Sequence, residues 1–239
     1  MANLSPDLSQ TQRIPPSSFS IEKATPEDLP TIVHTHHVFP RPANPSQVQG
    51  LYTSFPPSYW DRKEPLTLRP SEAVRHTRMI ARILPTFSEP SCHWLLAKHV
   101  PTGEIAACAW WIAPGSPIHN FSRKDAGEFY GWRDHSPELW AHVDDEAWSG
   151  YFKKADAKRK QVLGEQKHWY LASLFTVPAW QGKGAGKLLV RWGVEQADLE
   201  EPGTPCYLES SEAGRRLYEG FGFVAVGRGD GYLRRGGSV

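Results

Sequence analysis

Three glycines stand between an apolar run and an amphipathic one. Leu174-Phe175-Thr176-Val177 leads through Pro178-Ala179-Trp180 into Gln181-Gly182-Lys183-Gly184-Ala185-Gly186, and Lys187-Leu188-Leu189 follows. Glycines after a strand and ahead of a helix let backbone N–H groups approach an anion closely. The stretch therefore reads as a seat for a phosphorylated ligand, and spacing decides which one. A P-loop needs Gly, four residues, then Gly-Lys-Ser/Thr. Here Gly186-Lys187 is followed by Leu188, and Gln181 stands where the first glycine belongs. A dinucleotide fingerprint needs G-x-G-x-x-G. Gly182 and Gly184 supply the first two positions, but Lys187 occupies the third. A plain strand–helix turn is the alternative, although such a turn needs only one or two glycines and no Gln.

Other residues of chemical type are scattered more thinly. Asp144, Asp145 and Glu146 could attract a cationic amine or form a solvated face. His168 opens the strand ahead of the glycines, where a lone His is ordinarily structural. His34, His36 and His37 are close together, yet no Cys or carboxylate completes a metal spacing, so no metal is expected. Lys153-Lys154 and Lys158-Arg159-Lys160 read as a basic patch or as a solvated helix face. Trp110 and Trp111 point to opposite faces of a strand, one toward the core and the other free to line an acceptor site. Trp180 is placed to pack the helix or to meet an adenine.

The elements that must position these residues follow from periodicity and turn chemistry. Phe19 to Lys23 alternates as a strand. Thr25-Pro26-Glu27-Asp28 is a helix start, with Thr25 as N-cap, and the helix is predicted to reach about Val38. A Pro-rich loop over 40–70 carries Tyr52, Phe55, Tyr59 and Trp60. Ser71 caps a second predicted helix ending near Pro85. Cys92 to His99 and Glu104 to Ala113 form a hairpin about Pro101-Thr102-Gly103. Residues 114–153 carry eight aromatics in forty positions, against 12% overall. That content predicts a segment folded onto the domain rather than a linker. Then come a helix at 155–166, a strand at 168–177, a helix at 184–199 and a strand at 206–209. A helix at 211–220, capped by Ser211, and strands at 221–227 and 232–235 complete the order. The fold class is α/β with mixed strand pairing. It comprises a flexible tail over 1–17 and one domain over 18–239 with an insertion at 114–168.

Composition narrows the class further. The chain of 239 residues has 39% apolar content and ten Trp, enough for a substantial core, and a formal net charge of +1. That balance gives no basic field for nucleic acid. No run approaches eighteen apolar residues, so no membrane partner is expected. Cys92, Cys108 and Cys206 read as buried thiols of a reducing compartment, which predicts the cytoplasm, with the nucleus also open. Nothing in the sequence sets an oligomeric state.

The pattern Leu174-x-x-x-Pro178-x-x-Gln181-x-x-Gly184-x-Gly186 resembles motif A of the GNAT family, the GCN5-related N-acetyltransferases. A second stretch, Tyr207-Leu208-Glu209-Ser210-Ser211 leading to Gly214 and then Leu217-Tyr218-Glu219-Gly220-Phe221-Gly222-Phe223, resembles the family's C-terminal motif. Within the family the pair is most similar to small-molecule enzymes of the puromycin N-acetyltransferase type. The resemblance covers roughly residues 18–235 and is specific over 169–224.

It implies a mixed central sheet with flanking helices, in which the parallel strands at 169–177 and 205–209 splay apart to admit the pantetheine arm of acetyl-CoA. Leu174, Phe175 and Thr176 would pair with that arm. Gln181, Gly182, Lys183, Gly184, Ala185, Gly186 and Lys187 would hold the pyrophosphate, with the two lysines either adding charge or simply solvated. The family's asparagine seven residues before the tyrosine is Ser211 here, which puts that contact in doubt. An amine would attack the thioester directly, and a backbone N–H near Leu174 or Phe175 would stabilise the oxyanion. Tyr218 would protonate the leaving thiolate, or else be a core tyrosine. Glu209 is the first candidate for general base, or else a salt-bridge or cap residue. The aromatic segments favour a small-molecule amine acceptor. A GNAT-like module that binds acyl-CoA without turnover is the alternative.

Overall fold

The computed structural model describes residues 18–34, 66–68, 70–133, 135–200, 203–227 and 229–236. The tail, the aromatics at 52–60, His36 and His37 lie outside the described residues. Among the described residues seven strands form one mixed sheet: β1 (Phe19–Lys23), β2 (Cys92–His99), β3 (Ile105–Ile112), β4 (Trp169–Thr176), β5 (Cys206–Glu209), β6 (Val224–Ala225) and β7 (Gly231–Arg234). The order across the sheet is β1-β2-β3-β4-β5-β7-β6. All pairs are antiparallel except β4 with β5. The last strand thus enters between β5 and β6, an order that the linear pattern does not reveal.

Alternation along the strands divides the core into two faces. One face carries Trp94, Leu96, Cys108, Trp110, Tyr170, Phe175, Tyr207 and Leu233. It is covered by α1 (Leu29–His34), α2 (Glu72–Ile83) and α4 (Asp145–Leu163). The other carries Leu95, Ala109, Trp111, Trp169, Leu171, Cys206, Leu208 and Tyr232. It is covered by α5 (Ala185–Glu200), with Tyr218 of α6 (Arg215–Glu219) alongside. Gly193 is what lets α5 come close: a Cβ there would overlap the indole of Trp111. Arg234 of β7 then clamps α5 through a two-pronged pair with Asp198, 2.9 Å on each arm.

Several predicted elements are corrected. The helix expected at 155–166 begins ten residues earlier, because Asp144 caps it by accepting from Ala147 N–H at 3.0 Å. Its aromatics Trp148 and Phe152 point into the core. The helix expected at 211–220 is a 3-10 turn, Glu212–Gly214, followed by the short α6, and the Ser211 side chain makes no cap hydrogen bond. Thr25 holds an N-cap position, its N–H donating to the Asp28 carboxylate at 2.9 Å, but it caps a 3-10 turn, Pro26–Asp28, that precedes α1. The described helix runs to His34, and the predicted extension toward Val38 lies outside the described residues.

The aromatic insertion folds down as predicted. It includes α3 (Ala126–Tyr130) and is fastened to α4 by Trp148, which donates to Ser122 O at 2.6 Å. Asp156 sits at the buried centre of this join. It accepts from Asn120 N–H (2.9 Å), Arg123 (3.2 Å) and Arg159 (3.3 Å). A buried carboxylate needs this many donors to offset its lost hydration.

Candidate active site

The site forms where β4 and β5 part. They pair through only three positions, Trp169↔Cys206, Tyr170↔Tyr207 and Leu171↔Leu208. On its other side, β4 slips against β3: Trp111 faces Leu171 while Trp110 faces Ser173, leaving Ala172 as an extra residue. Such a bulge bends the strand and increases its twist. Beyond Leu171, the edge of β4 toward β5 has no ladder partner among the described residues. Leu174, Phe175 and Thr176 continue along that opened edge, and Glu209 is the first β5 residue past the last pair. The bulge thus supplies the splay that the sequence resemblance implied.

At the end of β4 the chain turns through a 3-10 segment, Pro178–Trp180, into the glycine loop. Gln181 folds back, donating from Nε2 to Thr176 O at 3.2 Å. Gly182 and Gly184 adopt φ of 73° and 94°, the left-handed region that side chains disfavour. Leu188 N–H is the first in the helix to find an acceptor, Gly184 O at 3.1 Å. Among the described residues the N–H groups of Gly184, Ala185, Gly186 and Lys187 have no backbone acceptor, as the first turn of a helix dictates. Gly186 carries no side chain for a packing reason: a Cβ would stand 2.8 Å from Thr176 Oγ1. Open donors, a helix N-terminus and absent side chains together fit a pyrophosphate. Lys183 lies 4.9 Å from the centre of the Trp180 ring, and Lys187 is exposed.

Two titratable groups flank the fork. Glu209 receives a hydrogen bond from the Tyr170 hydroxyl at 2.8 Å, and its Oε1 is buried. Burial pushes its carboxyl up to about 7, against opposing pulls from the Tyr170 hydrogen bond and from Arg159. A carboxylate that titrates near neutrality is poised to exchange protons at ordinary pH. Tyr218 lies on the opposite face, its ring packed against Gly214 and edge-on to Phe223 at 6.0 Å. Burial raises its ionisation well above the usual phenol range, so it stays protonated. Its hydroxyl has no hydrogen bond among the described residues.

A model of the acetyltransferase (GNAT) family matches residues 59–223. The chain belongs to the GNAT family. Membership brings acetyl transfer from acetyl-CoA to an amine, with no acceptor specified. The fold is shared with a crystal structure from Corynebacterium glutamicum described as histone acetyltransferase HPA2 and related acetyltransferase. That match has a TM-score of 0.52 and 17% identity, and covers 93% of this chain and 98% of that one. A mosquito arylalkylamine N-acetyltransferase like 5b matches with a TM-score of 0.51 and 14% identity, over 88% and 85% of the two chains. Among curated proteins, a probable methylenetetrahydrofolate reductase (NADH) from Oryza sativa subsp. japonica is 29% identical over 77 residues. The match takes in 32% of the GNAT chain but spans only 12% of the rice protein.

The remaining candidates of the GNAT chain resolve into structural roles. Asp144 caps α4, and Asp145 accepts from Ser149 Oγ at 2.5 Å, so neither is a free acid for an amine. His168 donates through Nδ1 to Gln166 O at 2.8 Å, and burial lowers its ring to about 4. Trp110 and Trp111 are both core, 3% and 0% exposed, because each face of the sheet is covered. Trp180 packs on Phe19 and His99 of the neighbouring strands, with ring centres 5.7 and 4.4 Å away. The basic run is divided: Arg159 is buried, Lys158 pairs with Asp230, and Lys153, Lys154 and Lys160 face solvent. Ser211 is exposed beside the fork. Burial pushes Cys92 and Cys206 up to about 12, so these thiols are unreactive. Among the described residues no group of His, Cys, Asp and Glu is arranged to hold a metal, and no helix is long and apolar enough to cross a membrane.

Tyr170 and Arg159 were not anticipated. Arg159 lies over the Tyr170 ring at 3.9 Å, and Tyr170 reaches across the strand pair to Glu209. Their sequence signal is that of ordinary core and helix residues, so only the fold brings them to the base.

Proposed function

We propose that this chain transfers an acetyl group from acetyl-CoA to the amine of a small molecule, with Glu209 as general base and Tyr218 as general acid. The observation that carries the reading is the fork itself. One opening holds a donor-lined cradle at 184–187, an unpaired β4 edge at 174–176, and a carboxylate that titrates at about 7. Acetyl-CoA, when bound, supplies an acetyl group activated as a thioester. The N–H groups of Gly184 to Lys187 hold its pyrophosphate, with Gln181, Gly182 and Lys183 shaping the loop. Leu174, Phe175 and Thr176 offer backbone groups to its arm, and an N–H there stabilises developing negative charge. Glu209 accepts a proton from the amine. Tyr218, kept protonated by burial, donates its proton toward the leaving sulfur.

A small acceptor is supported by the cover of α2, α4 and the aromatic insertion over the Glu209 face of the sheet. A peptide tail would need an open groove. The mosquito relative is named for arylalkylamines and the Corynebacterium one for histones. Both lend this chain only a fold, so the acceptor is a matter for assay.

The test is thermal protection by acetyl-CoA followed by thiol release against a panel of amines. Wild type is expected to be protected and to transfer. Gly184→Val places a side chain at φ of 94° and inside the cradle, and should lose the protection. Normal protection in that variant would refute the cradle. Protection of wild type without transfer to any amine would favour the non-catalytic module.

A further inference from the structure

A line of buried polar contacts runs from the aromatic insertion to the fork. Asp156 of α4 divides its two oxygens. Oδ2 accepts from Asn120 N–H at 2.9 Å and from Arg123 at 3.2 Å, both in the insertion. Oδ1 accepts from Arg159, one turn along the helix, at 3.3 Å. Arg159 is buried and lays its guanidinium over the Tyr170 ring at 3.9 Å. Tyr170 is buried as well, and its hydroxyl donates to Glu209 Oε2 at 2.8 Å. Ordinary contacts thus join the insertion, α4, β4 and the end of β5.

Stability does not account for this line. A buried ion pair recovers the lost hydration of its two ions poorly, and apolar residues of the same volume often serve as well. What Arg159 does that an apolar side chain could not is set a positive charge over Tyr170. Burial and then the Glu209 charge raise the ionisation of that phenol, while Arg159 pulls it back, which makes the hydroxyl a stronger donor. The same hydrogen bond and the same charge oppose the burial that drives Glu209 toward its neutral form. Asp156 fixes Arg159 in place, while its own charge acts on Glu209 in the opposite sense.

We infer that Tyr170, Arg159 and Asp156 are positioning residues that keep the Glu209 carboxylate available as a base, Arg159 acting through Tyr170 and Asp156 through Arg159. The inference rests on the proposed role of Glu209 at the fork. A carboxyl desolvated without such support would stay neutral at ordinary pH and could take no proton. Of the other groups that face it, Tyr207 on β5 is kept neutral by burial, and Asp230 ahead of β7 opposes ionisation. The insertion reaches the base through Asp156.

The experiment sets Tyr170→Phe, Arg159→Met and Asp156→Asn beside wild type, each alone and combined with Glu209→Gln. Two readings are taken. One is the pH at which kcat/KM with aniline, a weakly basic aromatic amine, reaches half its plateau. The other is the pH at which urea stability stops diverging from that of the matching Glu209→Gln protein, which needs no acceptor. Tyr170→Phe and Arg159→Met remove support, so both readings should move up by about one pH unit. Their kcat/KM at pH 6 should then fall about tenfold beyond any fall at pH 9. Asp156→Asn removes an opposing charge and leaves that of Arg159 unshared, so both readings should move down. Arg159→Lys keeps the charge and should undo most of the shift seen in Arg159→Met. Shifts of one sign in all three variants, the mark of water entering a loosened core, would overturn the inference. Wild-type readings in Tyr170→Phe would also overturn it and leave the proposed function standing. That variant keeps the ring beneath the guanidinium and loses one oxygen, so it decides alone if an α4 variant does not unfold cooperatively. Stability readings that shift as expected, in a protein that acetylates no amine, would sustain the support of Glu209 and overturn the proposed function.

Discussion

Replacing Glu209 by Gln should make the protein more stable and nearly inactive, in a way that depends on pH. The carboxyl is raised from an ordinary 4.5 to about 7, chiefly by burial. The groups facing it are Tyr170 on β4, Tyr207 on β5, Arg159 and Asp156 on α4, and Asp230 ahead of β7. Between pH 4.5 and 7 the folded protein holds a proton that the unfolded chain has released, so stability falls as pH rises through that window. Above about 7 the loss is complete. A raise of this size, at about 1.4 kcal/mol per unit, comes to about 3 kcal/mol. Gln has no charge to bury, and its carbonyl can still accept from Tyr170. Urea unfolding at pH 8.5 should therefore show Glu209→Gln more stable than wild type by up to about 3 kcal/mol, with the gap closing near pH 4.5. Transfer should fall by about 10²–10⁴ in the same variant. Wild-type kcat/KM should rise through about pH 7, and that limb should vanish in Glu209→Gln. The limb is cleanest with a weakly basic aromatic amine, which is neutral across the window. A stability difference that does not grow with pH would refute the buried carboxylate. An unchanged limb and rate in Glu209→Gln would refute its role as base.

Other outcomes follow from the same geometry. Tyr218→Phe should lower kcat by about 10²-fold or more while shifting urea stability by less than about 1 kcal/mol, since the hydroxyl has no hydrogen bond among the described residues. A near-wild-type kcat would return Tyr218 to the core. Gly193→Ala should destabilise by about 1–3 kcal/mol or more, because its Cβ overlaps Trp111, which cannot move without losing its bond to Leu189 O at 3.0 Å. Thermal melts read this directly, and an unshifted melt would mean that α5 is free to lift off the sheet.

The parts of the site that are legible in the sequence are those made by neighbours in the chain. Glycine φ angles, orphaned helix N–H groups and the return of Gln181 to Thr176 all arise within a dozen residues, so the cradle can be read from spacing alone. The strand pattern places Glu209 at the end of β5, and the C-terminal motif places Tyr218. Errors arose where local signals competed. Trp148, Tyr151 and Phe152 read as an aromatic insertion, although Asp144 had already supplied the cap that makes them the first turns of α4. Ser211 suggested a cap, but the chain there makes a 3-10 turn instead.

What the sequence by itself supplied was the expectation of a phosphorylated ligand at the glycine loop, the order of elements and, through the family resemblance, two candidate proton-transfer groups. Only the tertiary structure decided what those groups can do. The bulge at Ala172 opens the fork because β4 must serve β3 on one side and β5 on the other, a demand that no single strand shows. Glu209 titrates near neutrality because packing from distant parts of the chain takes it out of water, against the lowering pulls of the Tyr170 hydrogen bond and of Arg159. Hydrogen bonding along the chain is local and can be read in sequence. Desolvation is a sum over every element that packs against a group, and it exists only once they are assembled.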